Sequence, residues 1–150
     1  MNSNLLTKRA KNYLLYIEAL IYLAWARFLV VYFPFKQIAP QLGEQMQETS
    51  FDNCLGEDVK LKRISKAIEL MSTFTLWESK CLDQAIAALK MLERRGIDST
   101  LYLGTAKDKQ GRMIAHAWLR SGSLYITGSA VMKEFTTVGR FAKRLKGLER

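Results

Sequence analysis

The run ALIYLAWARFLVVYFPF at residues 19–35 sets the first limit on what this chain can fold into. Only Arg27 near its middle and Pro34 near its end interrupt an otherwise apolar stretch. A membrane-spanning helix needs about 20 apolar residues, and an arginine at its centre costs about 2.5–3.5 kcal/mol on insertion scales, so a span is disfavoured. The run is also too long for the apolar region of a secretory signal, and no small-residue cleavage site follows it. The reading that remains is a helix over residues 5–33 with one face buried against the rest of the chain. A protein partner or weak membrane association are the alternatives for any face left uncovered.

The chain has 150 residues, 49% of them apolar, which suits a single domain at 1–150. Within it, residues 1–56 form the apolar helix and a connector, and residues 57–150 form the core. Two cysteines, Cys54 and Cys81, show no disulfide framework, so a cytoplasmic setting is expected. His116 is the only histidine, and two cysteines and one histidine this far apart match no zinc spacing. No glycine-rich phosphate cradle is present either, so neither metal nor cofactor is expected.

After the apolar run, Pro34, Pro40, Gly43 and Gly56 lie among polar residues and mark a connector. Cys54 falls in it with no base nearby, and reads as a small apolar residue. Leu61, Ile64, Ile68 and Met71 then step by three and four, the spacing of a helix with one buried face. A stronger helix follows in ESKCLDQAIAALKMLERRG, residues 78–96. Ser79 is placed to cap it, Ala85, Ala87 and Ala88 favour it, and Gly96 supplies a left-handed residue to end it after Arg94 and Arg95. Cys81 then lies in the first turn, where unpaired amides and the helix dipole favour a thiolate and Lys80 adds a positive charge. The dipole contributes only about 0.3–1 kcal/mol at an ordinary site, so a nucleophile there still needs a base.

The second half reads as strands at 99–106, 112–120 and 123–128, separated by KDKQG and SG. An antiparallel meander is expected, with Ile114, His116 and Trp118 on one face of the middle strand and Met113, Ala115, Ala117 and Leu119 on the other. The net charge is +9, with a basic concentration in GRFAKRLKGLER near the C-terminus. Val138, Phe141, Leu145 and Leu148 recur there at helical spacing, which predicts an amphipathic closing helix with a solvated basic face. No nucleic-acid-binding motif accompanies the charge, so nucleic acid is not expected as a partner, and a basic non-enzymatic binding protein is the non-catalytic alternative.

A cysteine opening a helix, followed by a sheet that presents a histidine, is the arrangement papain-like enzymes use for a thiolate–imidazolium pair. Around these residues the chain resembles a known family. KCLDQAIAALKMLERRGIDSTLYLGTA and AHAWLRSGSLYITG are similar to the leader peptidases of bacterial lasso-peptide biosynthesis, and EALIYLAWARFLVVYFPFKQIAPQLG is similar to that family's first helix. The resemblance covers residues 76–128 and implies an α+β, transglutaminase-like (papain-like) fold, with N-terminal hydrophobic helices and a Cys-headed helix packed on an antiparallel sheet. It implies a stand-alone cysteine endopeptidase that removes the leader from a ribosomally made precursor before macrolactam closure. Cys81 would be the nucleophile and, through its backbone amide, an oxyanion donor; His116 would be the general base and then the general acid. Relatives place an aspartate after the next strand to orient the imidazole. This chain has Tyr125-Ile126-Thr127-Gly128 instead, which leaves Thr127 or Glu134 as candidates for the orienting role. Asp83, two residues along the helix, faces away from the thiol and is a poor substitute. The implied partners are the precursor peptide, a separate winged-helix leader-recognition protein (a RiPP recognition element) and an ATP-dependent macrolactam cyclase. Acyl transfer to an amine is the alternative reaction.

Overall fold

The computed structural model describes residues 2–52, 56–75 and 80–145. Cys54, Ser79 and Leu148 lie outside the described residues.

Helix α1 (Asn2–Tyr32) takes up the long apolar run and stops just before Pro34, whose ring cannot continue it. The segment read as a connector is partly ordered into a short helix, α2 (Phe35–Leu42), and a two-residue strand, β1 (Glu44–Gln45). Ile38 and Leu42 are buried, so two turns of amphipathic helix were concealed between Pro34 and Gly43. Helix α3 (Asp58–Ser72) buries Leu61, Ile64, Ala67 and Ile68, the face its spacing predicts. Helix α4 runs Cys81–Arg94.

The remaining strands are β2 (Ser99–Lys107), β3 (Met113–Ser121), β4 (Leu124–Thr127) and β5 (Thr136–Lys143). They form a five-stranded sheet in the order β1-β5-β2-β3-β4, with antiparallel pairing throughout. The closing helix expected from Val138 and Phe141 is corrected by this arrangement, because both residues belong to β5. Thr136, Thr137 and Val138 are β-branched, and pairing along β2 buries Phe141 and Ala142 while satisfying the backbone.

Helix α4 lies between the sheet and α1, and its alanines explain how. Ala85, Ala87 and Ala88 are fully buried and let neighbours approach from opposite sides. Leu101, Ala117, Leu119, Ile126 and Phe141 form the sheet's inner face, packed in one core with Ile86, Leu89 and Leu92 of α4 and Leu15, Ala19, Leu23 and Ala26 of α1. The end of α4 is a Schellman turn. Gly96 takes φ +69°, its N–H donates to Glu93 O at 3.0 Å, and Ile97 N–H donates to Leu92 O at 3.0 Å.

Helix α1 also meets the length and apolarity needed to cross a membrane. One of its faces packs on α3 and α4, while Leu14, Ile17, Ile21, Phe28, Val31 and Tyr32 remain exposed.

Candidate active site

Cys81 is the first residue of α4 and is half-buried against the core. Lys80, in extended conformation, is the flanking residue where the sequence suggested Ser79. A lysine side chain has no acceptor, so the cap comes from Asp83, whose Oδ2 accepts the Lys80 N–H at 3.2 Å. The Lys80 carbonyl in turn accepts the Gln84 N–H at 3.1 Å. These two bonds hold the peptide that leads into Cys81. The Cys81 N–H shares that peptide plane and points out of the helix N-terminus, as an oxyanion donor must.

Asp83 itself is fully buried, and its Oδ2 lies 3.6 Å from the Arg27 guanidinium. Oδ1 has no hydrogen-bond partner among the described residues. Burial pushes the carboxyl above its ordinary range, against the opposing pull of the Lys80 N–H and the charge of Arg27. The Asp83 carboxyl is therefore directed toward α1.

His116 sits on β3 opposite Gly104 of β2, on the outer face of the sheet with Trp118 and Arg120. Its ring stacks on Trp118 (centroids 5.8 Å apart) and lies 5.0 Å from Phe135; Trp118 stacks in turn on Tyr102 at 5.6 Å. The ladder ends at Arg120, whose guanidinium lies 3.6 Å from the Phe51 ring centroid and donates to Tyr102 Oη at 2.9 Å. Gly104 makes room for the stack, since a Cβ there would lie 2.8 Å from the Trp118 ring.

The His116 Nε2 lies 2.7 Å from Gly128 O. A carbonyl oxygen only accepts, so Nε2 carries a proton, which leaves Nδ1 as the nitrogen that can exchange one. The group that orients the imidazole is thus a backbone carbonyl, one residue beyond Thr127. The Thr127 hydroxyl is buried and makes no hydrogen bond among the described residues, and Glu134 is exposed at the end of the 3₁₀ helix Ser129–Glu134. Gly128 is held at φ +73° directly against His116, where a Cβ would lie 3.1 Å from Nε2 and 2.5 Å from Ala117 O.

No hydrogen bond joins Cys81 to His116. His116 projects from the face of the sheet opposite the one on which α4 packs, and the cavity of about 280 Å³ beside Gly128, lined by Ser65 and Glu69 of α3, Gln84 of α4 and residues 125–130, has neither Cys81 nor His116 in its wall. Gln84 is one turn along from Cys81 on α4, and Gly128 holds His116. Among the described residues no three His, Cys, Asp or Glu side chains gather where they could hold one metal ion.

Two features of this region escaped the sequence reading. Gly128 O is a backbone acceptor and has no side-chain signature. The Arg27–Asp83 pair left a trace, because Arg27 is the one charge inside residues 19–35, but its partner could not be named without the fold.

Residues 29–140 match the family model of the transglutaminase-like superfamily. No curated protein and no solved structure matches the chain.

Proposed function

The chain belongs to the transglutaminase-like superfamily, which includes cysteine peptidases and acyl transferases, and on that basis we propose that it is a cysteine peptidase of lasso-peptide maturation, cutting the leader from the precursor. The observation that carries the reading is the position of Cys81 as the first residue of α4, a buried helix within the span that matches the superfamily. In the proposed reaction the Cys81 sulfur attacks the scissile carbonyl as His116 Nδ1 takes the thiol proton. The tetrahedral oxyanion is met by the Cys81 N–H. Collapse breaks the C–N bond, and the imidazolium returns its proton to the departing amine, the new N-terminus of the core peptide. Water then hydrolyses the thioester, releasing the leader with a free carboxylate.

The Gly128 carbonyl does the work of an orienting carboxylate by fixing the ring and its tautomer, and a neutral acceptor stabilises the imidazolium less than an anion would. The exposed apolar side of α1 is proposed as the docking surface for a separate winged-helix recognition protein that delivers the leader. An ATP-dependent cyclase would consume the product, and the cytoplasm is the proposed setting.

The test is direct. Precursor incubated with the protein and its recognition partner should give two fragments whose masses sum to the precursor plus one water. Cys81→Ala should abolish them, while Cys54→Ala should retain most activity. Turnover near wild type in the Cys81 variant would overturn the mechanism, and a mass-shifted adduct with an added amine in place of free leader acid would assign acyl transfer instead.

A further inference from the structure

Between residues 13 and 33, α1 carries only two charged side chains, Glu18 and Arg27. Both are directed at α4, one at each end. Glu18 binds Arg94 at 3.2 Å and Arg95 at 2.7 Å, beside the last turn of α4. Arg27 lies 3.6 Å from Asp83, in its first turn. Nine residues of helix separate the two, about 13.5 Å along α1 at 1.5 Å per residue, so antiparallel α1 and α4 are matched in register by charge at both ends.

The two contacts differ in what they cost. Glu18 is satisfied by two guanidinium groups, whereas Asp83 is fully buried with one partnered oxygen and one without a partner among the described residues. An incompletely bonded buried carboxylate opposes folding, and an apolar pair of similar size would be neutral or stabilising in its place. Stability therefore does not explain Arg27–Asp83, but its location does. Asp83 holds the Lys80 N–H, and the next peptide carries the Cys81 amide.

We propose that Arg27 is a positioning residue for Cys81, acting through Asp83 to set the peptide that presents the sulfur and its neighbouring amide. The proposal rests on the reading of Cys81 as a nucleophile. Arg27 does two things here. It holds the Asp83 carboxylate in the orientation that accepts the Lys80 N–H. It also cancels a negative charge that would otherwise stand two residues from the place where a thiolate and then an oxyanion must form. The arginine inside the apolar run is explained by the turn it supports.

The experiment separates positioning from stability. The rate at which iodoacetamide carboxymethylates Cys81, located by peptide mass mapping, is compared with the urea unfolding midpoint for wild type, Arg27→Met, Arg27→Lys and the double variant Arg27→Met/Asp83→Leu. The double variant loses the cap on the Lys80 N–H together with the buried charge, so its urea midpoint should stay close to the wild-type value, yet its Cys81 should react at least about tenfold more slowly. Arg27→Lys should recover most of the rate. A fast wild type with an equally fast double variant overturns the role of Arg27 and leaves the nucleophile standing. A wild-type Cys81 no faster than that of the urea-unfolded chain overturns both. If circular dichroism shows the double variant unfolded, Arg27→Met under conditions where it is fully folded decides the matter: a slowed Cys81 supports the proposal and an unchanged one removes it.

Discussion

At the scale of single residues, the candidate site depends on a backbone group as much as on side chains. Gly128 supplies the carbonyl that bonds His116 Nε2, and it does so from φ +73° with no room for a Cβ. Gly128→Ala should therefore strain the backbone and push the imidazole off its acceptor, costing about 1–3 kcal/mol in urea unfolding and most of the leader cleavage. Gly96→Ala is the control. Gly96 also has positive φ (+69°), but a Cβ there meets nothing within 4 Å, so strain of about 1 kcal/mol is expected with cleavage retained. Equal activity in the Gly128 variant would remove the carbonyl from the site. These residues also show what could be read in advance. The positions of Cys81 and His116 follow from helix-start and strand-alternation patterns, which are local. Thr127 and Glu134 were nominated because they have polar side chains, and that criterion cannot find a main-chain oxygen.

At the scale of elements, α1, α3 and α4 were legible because their apolar spacing is regular over several turns, and β2 and β3 because turn residues bound them; α2, two turns long between Pro34 and Gly43, was not. Nor was β5. Val138 and Phe141 are three residues apart, a separation that fits a helix face, and only the long-range pairing with β2, Leu101 opposite Phe141, decides for strand. β1 is shorter still and exists through its pairing with β5. The antiparallel clamp of α1 on α4 yields a prediction with a sign. Burial raises the Glu18 carboxyl, but the bonds and charges of Arg95 and then Arg94 outweigh it, so its folded-state value lies below the ordinary 4.5. Its stabilisation is complete above that value and is lost as pH falls through the lower folded one. Asp83 is shifted the other way, above 3.8, so the native state takes up its proton before the unfolded chain does and this group adds stability as pH falls. Urea midpoints measured from about pH 6 down to about pH 3 should decline less steeply in Glu18→Gln than in wild type, and more steeply in Asp83→Asn. Parallel profiles in all three proteins would show that neither end of the clamp is linked to acid stability.

At the scale of the whole molecule, the fold uses one face of α1 and leaves another open. Leu15, Ala19, Leu23 and Ala26 are in the core, while Leu14, Ile17, Ile21, Phe28 and Val31 stand at 52–66% exposure along the opposite side, with both nearby charges turned inward to α4. An uncharged apolar strip of this kind matches the centre of a protein interface, where charged residues are depleted. If it docks the leader-recognition protein, the effect of a charge there should be separable from any effect on the site. Val31 is 55% exposed, so Val31→Glu forfeits little packing and should change stability by no more than about 0.5 kcal/mol. Carboxymethylation of Cys81 should also stay at the wild-type rate, because the Val31 side chain is exposed and is not among the residues packed in or against the core. Partner-dependent cleavage of the precursor should fall, and co-precipitation with the recognition protein should weaken with it. Introducing glutamate at Arg140 on β5, where the basic C-terminal region is exposed, should matter less. Cleavage that runs equally fast without a partner would end the delivery model, and a partner that binds the Val31→Glu protein unchanged would move its docking surface off α1.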